Sequence, residues 1–211
     1  GAPTNSNPGP DGSPVVVTHL ESPCGVDGGG QNWNSTHLQV NGGAMDGFAR
    51  EALGSMKYLD GTALPFYAGL AETFVLCDRW FASVPGQTHP NRRYLMAATS
   101  VGMIETSVSK VLQHPDAPNG TIWDRLNQHG ISWIDYAYDL PDILLFPNVY
   151  ASNKDKVHTT GAFLRDCASG NLPAVSIVSA GHEEFSEETD DIGRGEAFTA
   201  MVVNALMSSP A

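Results

Sequence analysis

Basic residues are scarce in this chain. Its 211 residues hold 11 Lys and Arg against 23 Asp and Glu, a formal charge of −12, with an isoelectric point near 4.8. That balance excludes the broad basic face that nucleic-acid binding favours. It also argues against general attraction to anionic membranes. Long apolar runs are missing as well: none reaches the ~20 residues of a membrane-spanning helix. Cysteine is limited to Cys24, Cys77 and Cys167. Three thiols cannot all pair within one chain, and spacing gives no connectivity. Cys77 lies in an apolar run and reads as a buried small hydrophobe. The sequence contains no internal repeat and no visible signal peptide.

What is present is an alternation of helical and strand signals. Residues 1–32 are an irregular, loop-rich segment in which only Pro14 to Leu20 reads as a short strand. Met45, Phe48, Ala49, Ala52 and Leu53 recur at helical spacing and predict a helix over 43–56. Leu64 to Phe74 predicts a second helix, with Pro65 in its first turn, running into an apolar strand, Phe74 to Asp78. Helix-then-strand pairs recur at 122–127 with 131–136 and at 162–167 with 174–178, punctuated by Gly130 and Gly170. A last helix is predicted from Glu196 to Met207. Helices alternating with short apolar strands favour an α/β fold with a mostly parallel sheet covered on both faces. The length suits one domain.

The densest chemical signal is Val84-Pro85-Gly86-Gln87-Thr88-His89-Pro90-Asn91-Arg92-Arg93. It stands between the predicted strand at 74–78 and a predicted helix over 91–98. A hydroxyl at the entrance of a helix faces unpaired N–H groups and the positive end of the dipole, which suit an anion such as phosphate. Two arginines follow directly. Two readings stand side by side: Thr88 as a nucleophile or anion ligand, and Thr88 as an N-cap.

The words Leu76-Cys77-Asp78-Arg79-Trp80-Phe81-Ala82-Ser83-Val84-Pro85-Gly86 and Thr88-His89-Pro90-Asn91-Arg92 resemble the phosphoesterase family of non-specific phospholipases C and related acid phosphatases. Asn41-Gly42-Gly43-Ala44-Met45-Asp46-Gly47-Phe48, Asn171-Leu172-Pro173-Ala174-Val175-Ser176 and Gly195-Glu196-Ala197-Phe198 extend the resemblance in order from about Trp33 onward. Ordered matches over that length are far more specific than one short motif. The resemblance implies a three-layer α/β/α, alkaline-phosphatase-like architecture. It also implies a metal-dependent phosphoric ester hydrolase acting through a phosphothreonine intermediate. Two family words, an upstream Glu-Asn-Arg-Ser-Phe-Asp and a downstream Asp-Glu, supply metal ligands and are absent here. The expectation is therefore one partial catalytic domain over 1–211, incomplete at both ends and inactive by itself.

By the same resemblance Thr88 takes the nucleophile position and is the one metal ligand in this stretch. The divalent metal remains unidentified. A cation at the threonine oxygen would lower its pKa. Asn91 would donate to a phosphoryl oxygen. Arg92 would either supply charge there or pair with a carboxylate inside the fold. His89 is expected to orient or pack, with substrate contact as its other reading. His37 matches a family histidine that can protonate a leaving oxygen, with a loop hydrogen bond as its other reading. Where many members carry a further histidine, this chain has Gln31, which can only hydrogen-bond. A family His-Pro word is replaced by Ser186-Glu187-Glu188-Thr189-Asp190-Asp191, with His182 as a candidate substitute that contacts substrate. The six carboxylates between Glu183 and Asp191 read as a solvated loop, with metal binding as the alternative. Asp46 is expected to cap or orient its helix. Asp135, Asp139 and Asp142 read as structural.

The leading expected function is a phospholipase C that removes phospholipid head groups, with transient contact at a membrane surface. Leu144-Leu145-Phe146-Pro147 would suit a lipid-facing rim, or else the core. The alternatives are an acid phosphatase on soluble phosphomonoesters and a catalytically silent relative that binds phosphate esters. A secreted or periplasmic setting is favoured.

Overall fold

A computed structural model describes residues 4–25, 27–181 and 190–211. Two compact units emerge: residues 1–86 with 183–197, and residues 87–182 with 198–211.

The first unit is built from short pieces. Strands β1 (Ser6–Pro8) and β2 (Pro14–Val16) form an antiparallel hairpin. β3 (Thr18–His19) pairs in parallel with β4 (Lys57–Tyr58). The single strand expected over 14–20 is thus divided between two partners. Helix α1 (Trp33–Val40) is capped by Asn32, whose Oδ1 accepts from the N–H of Asn34 and Ser35 at 3.0 and 3.1 Å. It ends at Asn41, in the left-handed region at φ 43°.

The helix expected over 43–56 is broken. Only α2 (Phe48–Glu51) is α-helical, and Leu53–Met56 is a 3₁₀ turn. Gly43 and Met45 have φ of 100° and 56°, and Ala52 is extended. Gly47 explains part of the break: a Cβ there would lie 1.8 Å from the Leu38 carbonyl oxygen. Backbone approach, not periodicity, shapes this stretch. Helix α3 (Pro65–Thr73) forms as expected, with Pro65 in its first turn. The strand expected over 74–78 does not: Val75 is 91% exposed and Leu76 71%. A buried parallel strand needs hydrogen-bonded neighbours, and no described strand lies beside these residues. Cys77 is exposed with them, contrary to expectation; Cys167 is the buried cysteine.

The second unit holds the sheet. Helices α4 (Thr88–Ala97), α5 (Val108–Gln113) and α6 (Ile122–Gln128) precede β5 (Trp133–Ala137). α6 starts in a capping box: Asp124 Oδ2 accepts from the Thr121 N–H at 2.7 Å, and Thr121 Oγ1 accepts from the Asp124 N–H at 3.3 Å. Then come the 3₁₀ turn Asp142–Leu145, α7 (Pro147–Ser152), β6 (Val157–Thr159), α8 (Thr160–Ser169) and β7 (Val175–Ser179). Gly170, at φ 70°, stops α8. Helix α9 (Ile192–Met207) belongs to the first unit up to Ala197 and to the second from Phe198. The sheet order is β6-β5-β7, all parallel.

Alternation along β5 sends side chains to two cores. Trp133 joins Trp123, Ile143 and Phe146 on one face. Tyr136 joins Phe163 and Cys167 on the other, against Val202 and Ala205 of α9. Leu145 and Phe146, candidates for an exposed rim, are 7% and 0% exposed and belong to the first of these cores. The rim reading is corrected: after Pro141 the chain turns inward over the sheet face.

Candidate active site

Thr88 is the first residue of α4, and the N-cap is Gln87. The helix therefore begins three residues earlier than the sequence predicts, and Thr88 does not cap it. Gln87 makes no side-chain cap bond either, because its Oε1 accepts from the Thr106 N–H at 2.8 Å. The cap comes instead from a distant loop: Thr106 Oγ1 accepts from the His89 N–H at 3.2 Å. Pro90 has no N–H, as suits a first turn. The Thr88 side chain is half-buried, and its hydroxyl has no hydrogen-bond partner among the described residues.

The rest of the helix start is held from below. Arg92, one turn beyond Thr88 on the same face, forms an ion pair between its Nη1 and Asp142 Oδ1. Asp142 Oδ2 accepts from Ser179 Oγ at 3.1 Å. The cluster Arg92–Asp142–Ser179 thus sits at the carboxyl ends of β5 and β7, where α/β sheets commonly carry ligand sites. Arg93 is a core strut. It is 0% exposed, donates from Nη1 to the Leu145 carbonyl at 2.6 Å, and stacks over Phe146 at 4.5 Å. Burial pushes its pKa down from the usual guanidinium value.

Asn91 Nδ2 donates to the Gln87 carbonyl at 3.0 Å. His89 is half-buried, and its Nδ1 has no hydrogen-bond partner among the described residues. Burial and the Arg92 charge lower its pKa, opposed by Asp142. Burial and Arg92 thus favour its neutral imidazole form.

His37 belongs to the first unit. It lies on α1, not in a loop, with Nδ1 2.7 Å from the Trp33 carbonyl and its ring against Trp33 at 4.3 Å. A carbonyl only accepts, so Nδ1 donates in this bond, and Nε2 takes no part in it. The preceding loop is pinned by Glu51, whose carboxylate accepts twice from the Gly30 N–H, at 3.0 and 2.8 Å. Asp46 accepts from Asn41 Nδ2 at 2.7 Å and does not cap α2. His182 and most of the acidic loop lie outside the described residues. Among the described residues no three His, Cys, Asp or Glu side chains come together to hold a metal. No helix among them is long and apolar enough to cross a membrane.

A hydroxyl at a helix entrance, backed by an arginine–carboxylate pair at a sheet's carboxyl end, suits an attack on an anionic ester. Residues 13–211 match the Phosphoesterase family. The chain belongs to this family. It is similar to the non-specific phospholipases C5 and C4 of Arabidopsis thaliana, each 33% identical over 86% of this chain. It is also 34% identical, over 84% of its length, to a non-hemolytic phospholipase C of Burkholderia pseudomallei. The chain spans 38%, 37% and 31% of those proteins, respectively.

Sequence reading of this chain missed Thr106 and Ser179, and the anchoring role of the Glu196 carboxylate. Glu196 Oε1 accepts from the N–H of Phe66 and Tyr67 at 2.8 and 3.0 Å, capping α3 from 129 and 130 residues away. The family word Gly195-Glu196 marked the position, but no local pattern reveals a cap at that separation.

Proposed function

We propose that this phosphoesterase is the Thr88-bearing part of a phosphoric ester hydrolase of the phospholipase C type. The Thr88 oxygen attacks phosphorus, the bond to the leaving alcohol breaks, and the threonine proton ends on that alcohol. Water then cleaves the phosphothreonine and restores the hydroxyl. Asn91 and Arg92 help hold the phosphoryl group. His37, through its Nε2, and His182 are the candidates for handling leaving-group protons and substrate. The carrying observation is the Thr88 hydroxyl, which stands at the helix entrance while Thr106 does the capping.

A divalent cation would supply charge at the threonine and phosphoryl oxygens. The described residues do not assemble a ligand set, so this part of the proposal rests on the family resemblance. The same holds for the alkaline-phosphatase-like arrangement, with which the two-faced parallel sheet is compatible. Chelation of the full-length protein, followed by activity measurement, tests the metal.

Phospholipid is the substrate suggested by the relatives' names. A soluble phosphomonoester is the second reading, and the burial of Leu145 and Phe146 favours it by removing the expected lipid rim. Assaying the full-length protein on a choline phospholipid and a soluble aryl phosphate separates the two. Thr88→Ala should lower turnover on the better substrate by on the order of 10³-fold or more. Retention of most turnover would discard the nucleophile role. No turnover of either substrate by the unaltered protein would favour a silent phosphate-ester binder.

A further inference from the structure

Asp135 is an unusual residue for its place. It occupies the middle of β5, the central strand of the sheet, and is 0% exposed. It lies on the face shared with Trp133, over the core of Trp123, Ile143 and Phe146. An apolar residue is the default in a parallel strand buried on both faces, and burying a carboxyl group is unfavourable unless it makes hydrogen bonds. Only half of this one does so among the described residues. Oδ2 accepts from the Ile143 N–H at 2.9 Å, while Oδ1 is buried with no partner. The charged groups that act on it are Asp142 and Arg92.

The N–H it holds belongs to a particular turn. Asp142–Leu145 is a 3₁₀ turn whose N-cap, Pro141, has no side-chain cap bond. Asp135 supplies that bond from the sheet. The turn in its place carries two attachments of α4, beside those made by Thr106 and the Asp116 carbonyl: the Asp142 carboxylate takes Arg92, and the Leu145 carbonyl takes Arg93. Arg92 and Arg93 stand four and five residues after Thr88. Short contacts therefore run from the central strand, through one turn, to the helix start that bears the proposed nucleophile.

We propose that Asp135 is a positioning residue: by capping the Asp142–Leu145 turn it fixes the first turn of α4, and with it the direction of the Thr88 hydroxyl. The part concerning Thr88 rests on the function proposed above. The physical content is the accepting oxygen, not the charge. Asparagine keeps that oxygen; valine removes it while suiting a buried strand.

The test uses the full-length protein. Asp135→Val is expected to speed hydrogen exchange in residues 87–93. Because a nucleophile misplaced by about 1 Å can lose ~100-fold in rate, kcat should fall at least tenfold with KM changed less than threefold. Asp135→Asn is expected to keep exchange and kcat within about threefold of the unaltered protein. Asp135→Val with unchanged exchange overturns the proposal, and so does Asp135→Asn that loses as much as Asp135→Val. If the valine variant does not fold, the unaltered protein still decides: the Ile143 amide must exchange as slowly as the core of β5, and rapid exchange refutes the cap. Activity retained in Thr88→Ala would instead remove the nucleophile reading, while the exchange difference between the two Asp135 variants would still judge the positioning claim.

Discussion

In the first unit the Glu51, Asp60 and Glu196 carboxylates each accept backbone N–H groups, from Gly30, Thr62, and Phe66 with Tyr67. In the second unit Asp135 accepts one N–H and buries its other oxygen without a partner among the described residues. The consequences for pH are opposite. Bonds from the Thr62 side chain and backbone hold Asp60 down at about 2, so its contribution is present above its unfolded value and is lost as pH falls toward 2. Burial lifts Asp135 to about 6, so the folded state retains a proton that the unfolded chain has already released. Its contribution is full below the unfolded value near 3.8 and is lost as pH rises to 6. The lesson is that a carboxylate stabilises where it works as a charged acceptor and opposes folding where its charge is stranded. The apolar content differs in the same way. The second unit packs Trp123, Trp133 and Phe146, whereas the first buries only Ala49, Met56 and Val84 among its described apolar residues.

The harshest test of this contrast is Trp123→Ala. Trp123 is fully buried, with Phe146 at 5.8 Å and Trp133 at 6.3 Å, and its loss should cost about 3–5 kcal/mol by urea denaturation. A cost under about 1 kcal/mol would break the idea that this core dominates the second unit. Next comes pH. Asp135 should remove up to about 3 kcal/mol of stability between pH 4 and 6, and Asp135→Asn should flatten that part of the stability profile; thermal unfolding across the range measures it. In the first unit, Glu196→Ala leaves the Phe66 and Tyr67 N–H groups without their acceptor and should cost about 1–2 kcal/mol, as other lost caps do. A neutral Glu196→Ala would show that α3 does not depend on this carboxylate. The smallest effect is expected at Thr88→Ala, which breaks no described hydrogen bond and should shift stability by less than ~0.5 kcal/mol while removing turnover. A large loss of stability there would return Thr88 to a structural role.

The elements legible in the sequence are those whose signal is local. α6, α8 and α9, with β5 and β7, follow from apolar spacing and from Gly130 and Gly170, and the parallel sheet follows from their alternation. The word Thr88-His89-Pro90-Asn91-Arg92 marked the candidate site. The break in the helix over 43–56 was hidden, because it depends on Gly47 meeting the Leu38 carbonyl. The strand over 74–78 was misread, because apolar composition cannot say whether neighbours are present. The caps from Thr106, Glu196 and Asp135 were invisible for a common reason: each joins residues that only folding brings together.

The amino-acid order alone therefore determined the family, the alternation of helices and strands, and the residue types gathered around Thr88. Those properties live in side-chain identity and spacing along a few turns of chain. Only tertiary structure decided that Arg93 is a strut, that Arg92 is bound to Asp142, and that the helix entrance is capped by Thr106, leaving the threonine hydroxyl without a partner among the described residues. A hydrogen bond or ion pair is set by distances of about 3 Å in space, and separation along the chain carries no information about them.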